Sequence, residues 1–307
     1  MGLVISTSWN AFRKDRGRDI IAEVKKIGFK EIELSFNLTG EIVEEIAQLV
    51  KAGEVSVSSL HNFCPIPDGL RREAALPDCY NMASLDEEKR KTAVDFTKRT
   101  IETAQRLNAK AVILHCGRVE IPDRTTELID LYVRDLKDTP AFEVLRQEII
   151  RERRNAATAF FEKSLKSLEE LNQHAIFCNV QLGIETRYYY REIPTFEEIG
   201  IILNKFNKSN IFYWHDVGHA QVLENFGFVN HKAFLDLYGK RLLGIHLHDI
   251  SGYHDHKAPG KGNFDFKTLL PYISKETIKV IEAHYPAAPG DLKKSKKLLE
   301  KLFNGKI

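Results

Sequence analysis

The feature that most constrains the fold is an alternation of short apolar runs with helical patterns, repeated eight times along the chain. Apolar runs of this kind are typical of parallel sheets that are covered by helices. Right-handed crossovers between such strands close the sheet into a barrel. We therefore predict an α/β chain that forms a single (β/α)8 TIM barrel over residues 1–307. The predicted strands are Leu3–Ser8, Glu31–Ser35, Val55–His61, Ala111–His115, Gln181–Thr186, Ile211–Asp216, Leu242–Asp249 and Ile278–His284.

A doubly wound open sheet is the alternative architecture. It would need a glycine-rich phosphate turn after the first strand, where this chain has Thr7-Ser8-Trp9-Asn10. The helices that we expect between the strands are Ile20–Ile27, Glu41–Lys51, one from about Asp86, Ala156–Leu171, Phe196–Phe206, His231–Tyr238, Phe266–Ile273 and Leu292–Phe303.

Two connections are longer than a barrel requires. They are Asn62–Leu85 after the third strand and Arg118–Arg154 after the fourth, the second dense in both charges and expected to be partly helical. Since both follow strands, both should lie over the carboxyl end of the barrel. Long loops on that face serve as lids or specificity elements more often than as simple packing.

The composition excludes several classes of protein. The chain has 45 basic and 43 acidic residues, a net charge of +2, so a strong field for nucleic acid or an anionic membrane is absent and a nucleic-acid partner is not expected. No apolar run is long enough to span a bilayer, and Met1 to Asn10 do not resemble a signal peptide. Four cysteines without CxxC spacing indicate a reduced, cytoplasmic enzyme.

Histidines and carboxylates concentrate at the carboxyl ends of the predicted strands. Nine of the 11 histidines lie there, and only His174 and His231 fall elsewhere. Several acids aimed at one buried volume require a cation, and imidazole with carboxylate suits Zn²⁺, Mn²⁺ or Fe²⁺. We therefore predict a divalent metal site. The candidates are His61, His115, His215, His219, His246, His248, His254, His256 and His284, with Glu33, Glu185, Asp216, Asp249 and Glu282.

These candidates differ in the roles that we expect of them. For His215 and His248 a ligand role and a structural role are left open, and for His284 a structural role is favoured. Glu33 could orient either a substrate hydroxyl or a ligand histidine. Substrate contacts are expected from Arg187, in an aromatic stretch that could instead only pack, and from Lys257 and Lys261 beside glycines that could merely permit a turn. Trp9 and Arg118 are further substrate-binding candidates.

At these residues the chain resembles the xylose isomerase-like barrel superfamily, which includes sugar isomerases and epimerases and the endonuclease IV group. The matching segments reach from the third strand to the eighth. They are Ser59-Leu60-His61, Ile113-Leu114-His115-Cys116-Gly117, Gly183-Ile184-Glu185, Asp216-Val217-Gly218-His219, His246-Leu247-His248-Asp249, the loop from His254 to Asp265, and Ile281-Glu282.

The epimerase branch of this superfamily implies one metal ion on a four-residue core, here Glu185, Asp216, His246 and Glu282. In that branch the two glutamates also act as the acid and the base that move a proton beside a metal-bound carbonyl, by way of an enediolate. His219 is a further catalytic candidate.

The endonuclease IV branch implies additional ligands for up to three zinc ions. They carry over onto His61, His115, His219 and His256. The position two residues before the last histidine is an Asp in that branch and is His254 here, which changes the charge around the third metal.

The remainder of the predicted active face favours a small substrate over DNA. After His61 the chain reads Asn62-Phe63-Cys64-Pro65, without the wedge that a nuclease acting on a flipped-out nucleotide needs. We therefore expect a metal-dependent isomerase or epimerase of a small sugar, sugar phosphate or polyol, with one to three Zn²⁺ or Mn²⁺ ions and a possible homo-oligomeric state. A multi-zinc phosphoesterase is the alternative, and a non-catalytic binding barrel is a third class.

Overall fold

Eight parallel strands form a closed barrel in the computed structural model, which describes residues 2–305; Met1, Lys306 and Ile307 of the predicted 1–307 domain lie outside the described residues. The barrel strands are β1 (Leu3–Ser6), β2 (Glu31–Leu34), β3 (Ser56–His61), β4 (Ala111–Leu114), β5 (Gln181–Glu185), β6 (Ile211–Asp216), β7 (Leu242–Leu247) and β10 (Ile278–Ile281). Two further strands, β8 (Asp249–Ser251) and β9 (His254–Lys257), form a separate antiparallel hairpin. The barrel order is β1-β10-β7-β6-β5-β4-β3-β2, which confirms the predicted fold class.

Nine α helices among the described residues cover the barrel. They are α1 (Gly17–Lys26), α2 (Gly40–Lys51), α3 (Glu87–Arg106), α4 (Thr125–Val133), α5 (Pro140–Cys178), α6 (Phe196–Lys205), α7 (Val217–Asn225), α8 (His231–Tyr238) and α9 (Pro289–Asn304). Their ends follow ordinary capping chemistry. Thr195 and Glu198 form a reciprocal capping box at the start of α6, and the Asp86 carboxylate accepts two backbone N–H groups at the start of α3. None of the described helices is both long and apolar enough to cross a membrane.

A tryptophan fills the barrel beneath its mouth. Trp214 of β6 is fully buried, and its indole lies between Gly183 of β5 and Gly244 of β7. A Cβ atom at either glycine would collide with the indole ring, so the two neighbouring strands leave room for one very large side chain. The ring centroid lies 5.2 Å from that of His246, so the indole forms the floor of the mouth.

The predicted fourth helix is much longer than its apolar pattern indicated. Instead of Ala156–Leu171, one helix of 39 residues runs over Pro140–Cys178, and α4 precedes it. The amino-terminal half of α5 and α4 pack against the active face through a second apolar cluster that contains Leu128, Phe142, Tyr188, Phe226 and Ile250. Because the two halves of α5 contact different neighbours, a single apolar stripe does not follow the whole helix.

Two other elements differ from expectation. The predicted helix Phe266–Ile273 is a single 3-10 turn, Phe266–Leu269, because Pro271 has no backbone N–H to donate to the preceding turn. Helix α7 was not predicted. It begins directly after β6, where the Asp216 carboxylate caps it by accepting the His219 N–H at 2.8 Å.

Candidate metal centre

Four buried side chains meet at the centre of the barrel mouth. Glu185 and Asp216 are the last residues of β5 and β6, His246 lies on β7, and Glu282 directly follows β10. One ligand atom from each lies within 4.8 Å of the others. The structure therefore brings together the core that the sequence predicted.

The orientation of His246 decides what this core can hold. Its Nε2 lies 3.1 Å from a Glu33 carboxylate oxygen, and the Ser59 hydroxyl donates to the same carboxylate at 2.8 Å. Glu33 thus orients a histidine, one of the two roles that the sequence left open. The Nδ1 atom of His246 lies 2.7 Å from Glu185 Oε1 and 2.9 Å from Glu282 Oε2.

Such an arrangement needs a positive charge between the ring and the acids. Burial opposes the charged imidazole, but the carboxylates of Glu282 and Glu33 raise the pKa of His246 well above its usual value. Although burial favours neutral carboxyls, the neighbouring histidines hold the pKa values of Glu185, Asp216 and Glu282 below their usual range. Three anionic carboxylates around one imidazole nitrogen fit a divalent cation.

A second group shares Glu185 with the core. His115 Nε2 lies 2.8 Å from Glu185 Oε2, and His61 Nε2 lies 3.8 Å from the same oxygen. Burial and the cation of Arg187 lower the pKa of His115 to about 4, whereas for His61 the contact with Glu185 outweighs burial and raises the pKa. These three residues form a further group that could hold a metal.

A third group lies on the opposite side of the core and contains Asp216, His219 and His256. The Nδ1 of His219 is 2.9 Å from the Thr186 carbonyl, which can only accept, so this nitrogen donates and Nε2 is left as the ligand atom. Burial opposes a charged His256, but Asp255 raises its pKa to about 9, with its Oδ1 3.0 Å from His256 Nδ1.

Asp255, rather than His254, contacts this third group. Asp255 Oδ2 lies 3.6 Å from His219 Nε2, while His254 is exposed, packs on the Tyr253 ring at 3.9 Å and belongs to none of the candidate groups among the described residues. His256 has a left-handed backbone, with φ of 52°, so strict strand alternation fails and both Asp255 and His256 reach the cluster. The sequence offered one signal for this contact, namely that Asp255 is an acid between His254 and His256.

The two histidines next to these groups have different roles. His284, for which a structural role was favoured, stacks on His256 at 3.9 Å and forms a fourth candidate group with His256 and Glu282. Burial and the neighbouring His256 lower its pKa to about 3. His248 Nδ1 accepts the His256 N–H, so its Nε2 donates to Asp216 at 2.9 Å. His248 therefore orients a candidate ligand.

His215 points away from the mouth. It belongs to a rear network, which we define as the hydrogen-bonded chain Thr186, Tyr213, His215, His231 and Gln221, with side-chain contacts of 2.7, 2.7, 2.9 and 3.0 Å in that order. Burial lowers the pKa of His231 to about 4 and, together with His231, lowers that of His215. Neither ring belongs to a candidate metal group among the described residues.

A cavity of about 650 Å³ opens above the core, and Glu185, Glu282 and His219 line it. Of the six predicted substrate residues, Arg187 lies in its wall. The guanidinium contacts Glu185 at 2.5 Å and Glu192 at 2.9 Å, so two carboxylates already neutralise it. The other five do not line this cavity. Glu33 contacts His246, Arg118 forms an ion pair with Asp78, and Lys261 forms one with Asp291. Trp9 is buried and donates its Nε1–H to the Ala287 carbonyl, while Lys257 lines a neighbouring cavity.

Comparison with curated proteins finds distant relatives of unassigned function. An uncharacterised protein of Methanocaldococcus jannaschii is 25% identical over 198 residues, or 64% of this chain. An uncharacterised protein of Sinorhizobium fredii is 24% identical over 195 residues, or 63% of this chain. The matched regions span 57% and 52% of those two proteins, so little more than half of each is represented here.

Solved structures share the fold over the full chain. A D-tagatose 3-epimerase-like protein has a TM-score of 0.69 and 20% identity, with 100% of this chain and 99% of that chain covered. The IOLI protein with a bound zinc atom has a TM-score of 0.68 and 15% identity, with the same coverage. The E. coli protein YcjR, a 3-keto-D-glucoside 4-epimerase, has a TM-score of 0.66 and 14% identity, with 98% and 99% covered.

The family described as "Xylose isomerase-like TIM barrel" matches residues 21–302, which confirms the resemblance seen in the sequence. A closed eight-stranded barrel agrees with that match. The chain therefore belongs to the xylose isomerase-like TIM barrel family.

Proposed function

We propose that this protein is a divalent-metal-dependent isomerase or epimerase of a small sugar, sugar phosphate or polyol. The observation that carries the proposal is the pair of carboxylates, Glu185 and Glu282, which lie 2.7 and 2.9 Å from His246 Nδ1 and are both in the wall of the cavity. The names of the structural neighbours, several of them sugar epimerases, support it.

Glu185, Asp216, His246 and Glu282 would hold the ion, and their mixed nitrogen and oxygen donors suit Zn²⁺ or Mn²⁺. When bound, the ion would polarise a substrate carbonyl and acidify the neighbouring C–H bond. Two or three ions are compatible with the further groups that flank the core.

The two glutamates would do the proton transfer. One glutamate would act as a carboxylate and accept the proton from the carbon beside the carbonyl, while the other, having taken a proton from solvent, would supply one. A proton supplied by the second glutamate to the opposite face of the same carbon would invert it. Isomerisation would instead place a proton on the neighbouring carbon, and a second proton would pass from the hydroxyl oxygen to the former carbonyl oxygen. Arg187 fixes Glu185 for this step, and Glu192 fixes Arg187.

A multi-zinc phosphoester hydrolase is a second candidate. The groups His61–His115–Glu185 and Asp216–His219–His256 favour it, since they could hold two more ions beside the core. The paired state of Arg187 speaks against it, because no free guanidinium from this residue is left for a phosphate.

The test combines metal analysis with two reactions. The metal content per chain is measured, the Zn²⁺- or Mn²⁺-loaded protein is incubated with D-fructose or D-tagatose in D₂O, and deuterium at carbon is followed by NMR. An abasic-site duplex is assayed in parallel. We expect exchange that EDTA abolishes and added metal restores, with an intact duplex. Duplex cleavage with two or three ions and no exchange on any sugar would contradict the proposal.

A further inference from the structure

A second cavity of about 610 Å³ adjoins the one that contains the reacting carboxylates. The two cavities share His254, Asp255, His256 and His284 as a common wall. We call the second cavity the annex. Its remaining wall includes Lys257, Lys261, Tyr285, Ala287 and Asp291. Glu185 and Glu282 line the first cavity but not the annex, so the annex adjoins the reaction compartment and lacks its acid–base pair.

An exposed aromatic pair stands at the annex. The side chain of Tyr285 is 66% exposed, and it meets the 49% exposed ring of Phe12 edge to face at 5.5 Å. An exposed aromatic ring beside a cavity offers a face on which a flat and partly apolar group can stack. The C–H face of a sugar ring has that character.

The charges of the annex suit hydroxyl groups better than a phosphate. Lys261 is neutralised by Asp291 at 2.9 Å, and His256 in the same wall is paired with Asp255 at 3.0 Å. These two pairs cancel and Lys257 adds a single positive charge, so the annex wall does not have the concentrated positive charge that a phosphate requires. Donors and acceptors placed side by side can instead pair with the hydroxyls of a neutral sugar.

We propose that the annex binds a second sugar ring, so that the physiological substrate is a glycosylated sugar of at least two rings. The ring that reacts occupies the first cavity above Glu185 and Glu282, and the second ring stacks on Tyr285 beyond the shared histidine wall. This inference rests on the proposed function for the identity of the reacting ring, and on the annex itself for the second one.

The experiment measures binding and turnover separately on the Mn²⁺- or Zn²⁺-loaded protein. Dissociation constants are determined by calorimetry for D-fructose, for D-fructose 6-phosphate and for the two-ring ketoses turanose, lactulose and palatinose. We expect at least one two-ring ketose to bind about tenfold more tightly than D-fructose. In Tyr285→Ala the ratio of these two constants should fall toward one. Phe177→Ala, which removes an exposed ring on α5 outside both cavities, should preserve the ratio.

Other results would overturn the inference. Equal binding of one-ring and two-ring sugars, or a preference that Tyr285→Ala leaves intact, would remove the second-ring site. Preferential binding of D-fructose 6-phosphate that Lys257→Ala abolishes would make the annex an anion site. A dimer that Tyr285→Ala dissociates in light scattering would assign the aromatic pair to an interface between copies.

Deuterium exchange in the same samples distinguishes this inference from the proposed function. Tight two-ring binding without exchange at any carbon would refute the isomerase activity and leave the second-ring site standing. Exchange on D-fructose with no preference for two-ring ketoses would support the isomerase activity and refute the second-ring site. Absence of binding for every sugar would refute both.

Discussion

His246 and His215 lie on the neighbouring strands β7 and β6, and both are completely buried, yet their surroundings differ in charge. Three carboxylates of the core and Glu33 surround His246, and these acids raise its pKa. His215 contacts a tyrosine hydroxyl and a second imidazole, and its pKa is lowered. The side chains of a strand alternate between faces, so Asp216 points into the barrel while His215 next to it points toward the helices. A buried histidine therefore indicates a metal only where acids share its face.

The side-chain amide of Gln221 determines the direction of each hydrogen bond in the rear network. Gln221 donates through Nε2 to Glu224 and Asn225, so its Oε1 accepts from His231 Nδ1. The neutral His231 then accepts at Nε2 from His215, whose Nδ1 accepts the Tyr213 hydroxyl proton. This network satisfies its polar groups internally, whereas the core needs a cation from outside.

The largest expected effect comes from the acid–base pair of the core. Glu282→Gln should lower turnover by about a thousandfold, because an amide cannot take up the proton. Its matched control is Glu224→Gln, which alters the carboxylate that accepts the His231 N–H behind the barrel and should retain activity. Deuterium exchange under saturating metal measures both. Near-normal exchange in Glu282→Gln would refute the role assigned to this residue.

Glu33→Gln is expected to have the next largest effect. Loss of the charged acceptor on His246 Nε2 should weaken metal binding by about 10- to 100-fold, as is usual when the partner of a ligand histidine is changed. Competition with a chromogenic chelator measures the affinity. An unchanged affinity would show that Glu33 does not act on the metal through His246.

The rear network should reveal itself in the pH dependence of stability. Because the pKa of His231 is lowered from 6.5 to about 4, the unfolded chain binds a proton that the folded chain does not, and this contribution to stability is lost as the pH falls from 6.5 toward 4. When the pH falls from 7 to 5, the free energy of unfolding of His231→Asn should decrease by about 2 kcal/mol less than that of the unaltered chain. Urea unfolding at the two pH values measures the difference, and equal losses would contradict it.

The smallest effect is expected at a residue that belongs to neither the core nor the rear network. His254→Ala should change the metal content and affinity less than about twofold, because the side chain is exposed and outside the candidate groups. Asp255→Asn, one residue further along the hairpin, should lower the metal content if the third group is occupied. A loss of metal in His254→Ala and not in Asp255→Asn would restore the assignment made from the sequence.

The barrel and its core could be predicted because both follow from position along a strand. Glu185 and Asp216 end their strands, and parallel strands present their carboxyl ends at one face, so the order of elements alone brings them together. The outward direction of His215 was also available from strand alternation, since Asp216 beside it faces inward.

Other features depend on contacts that a pattern does not reveal. The left-handed φ of His256 decides that Asp255 rather than His254 reaches the third group, and residue type alone does not fix that angle. Arg187 was expected to contact the substrate, but its partner Glu192 lies in a loop whose path the sequence leaves open. The amino-terminal extension of α5 was missed because its apolar contacts are with the active-face loops and not with the barrel.

The fluorescence of the tryptophan beneath the core can report on changes at His246. Trp214 and Trp9 are the two indoles of the chain; one lies against the His246 ring and the other donates to the carbonyl of Ala287 in the annex wall. A charge that arrives on His246 alters the emission of Trp214, while a ligand in the annex acts first on Trp9. The Trp9→Phe chain would therefore report the core alone, and its difference from the unaltered chain would report the annex.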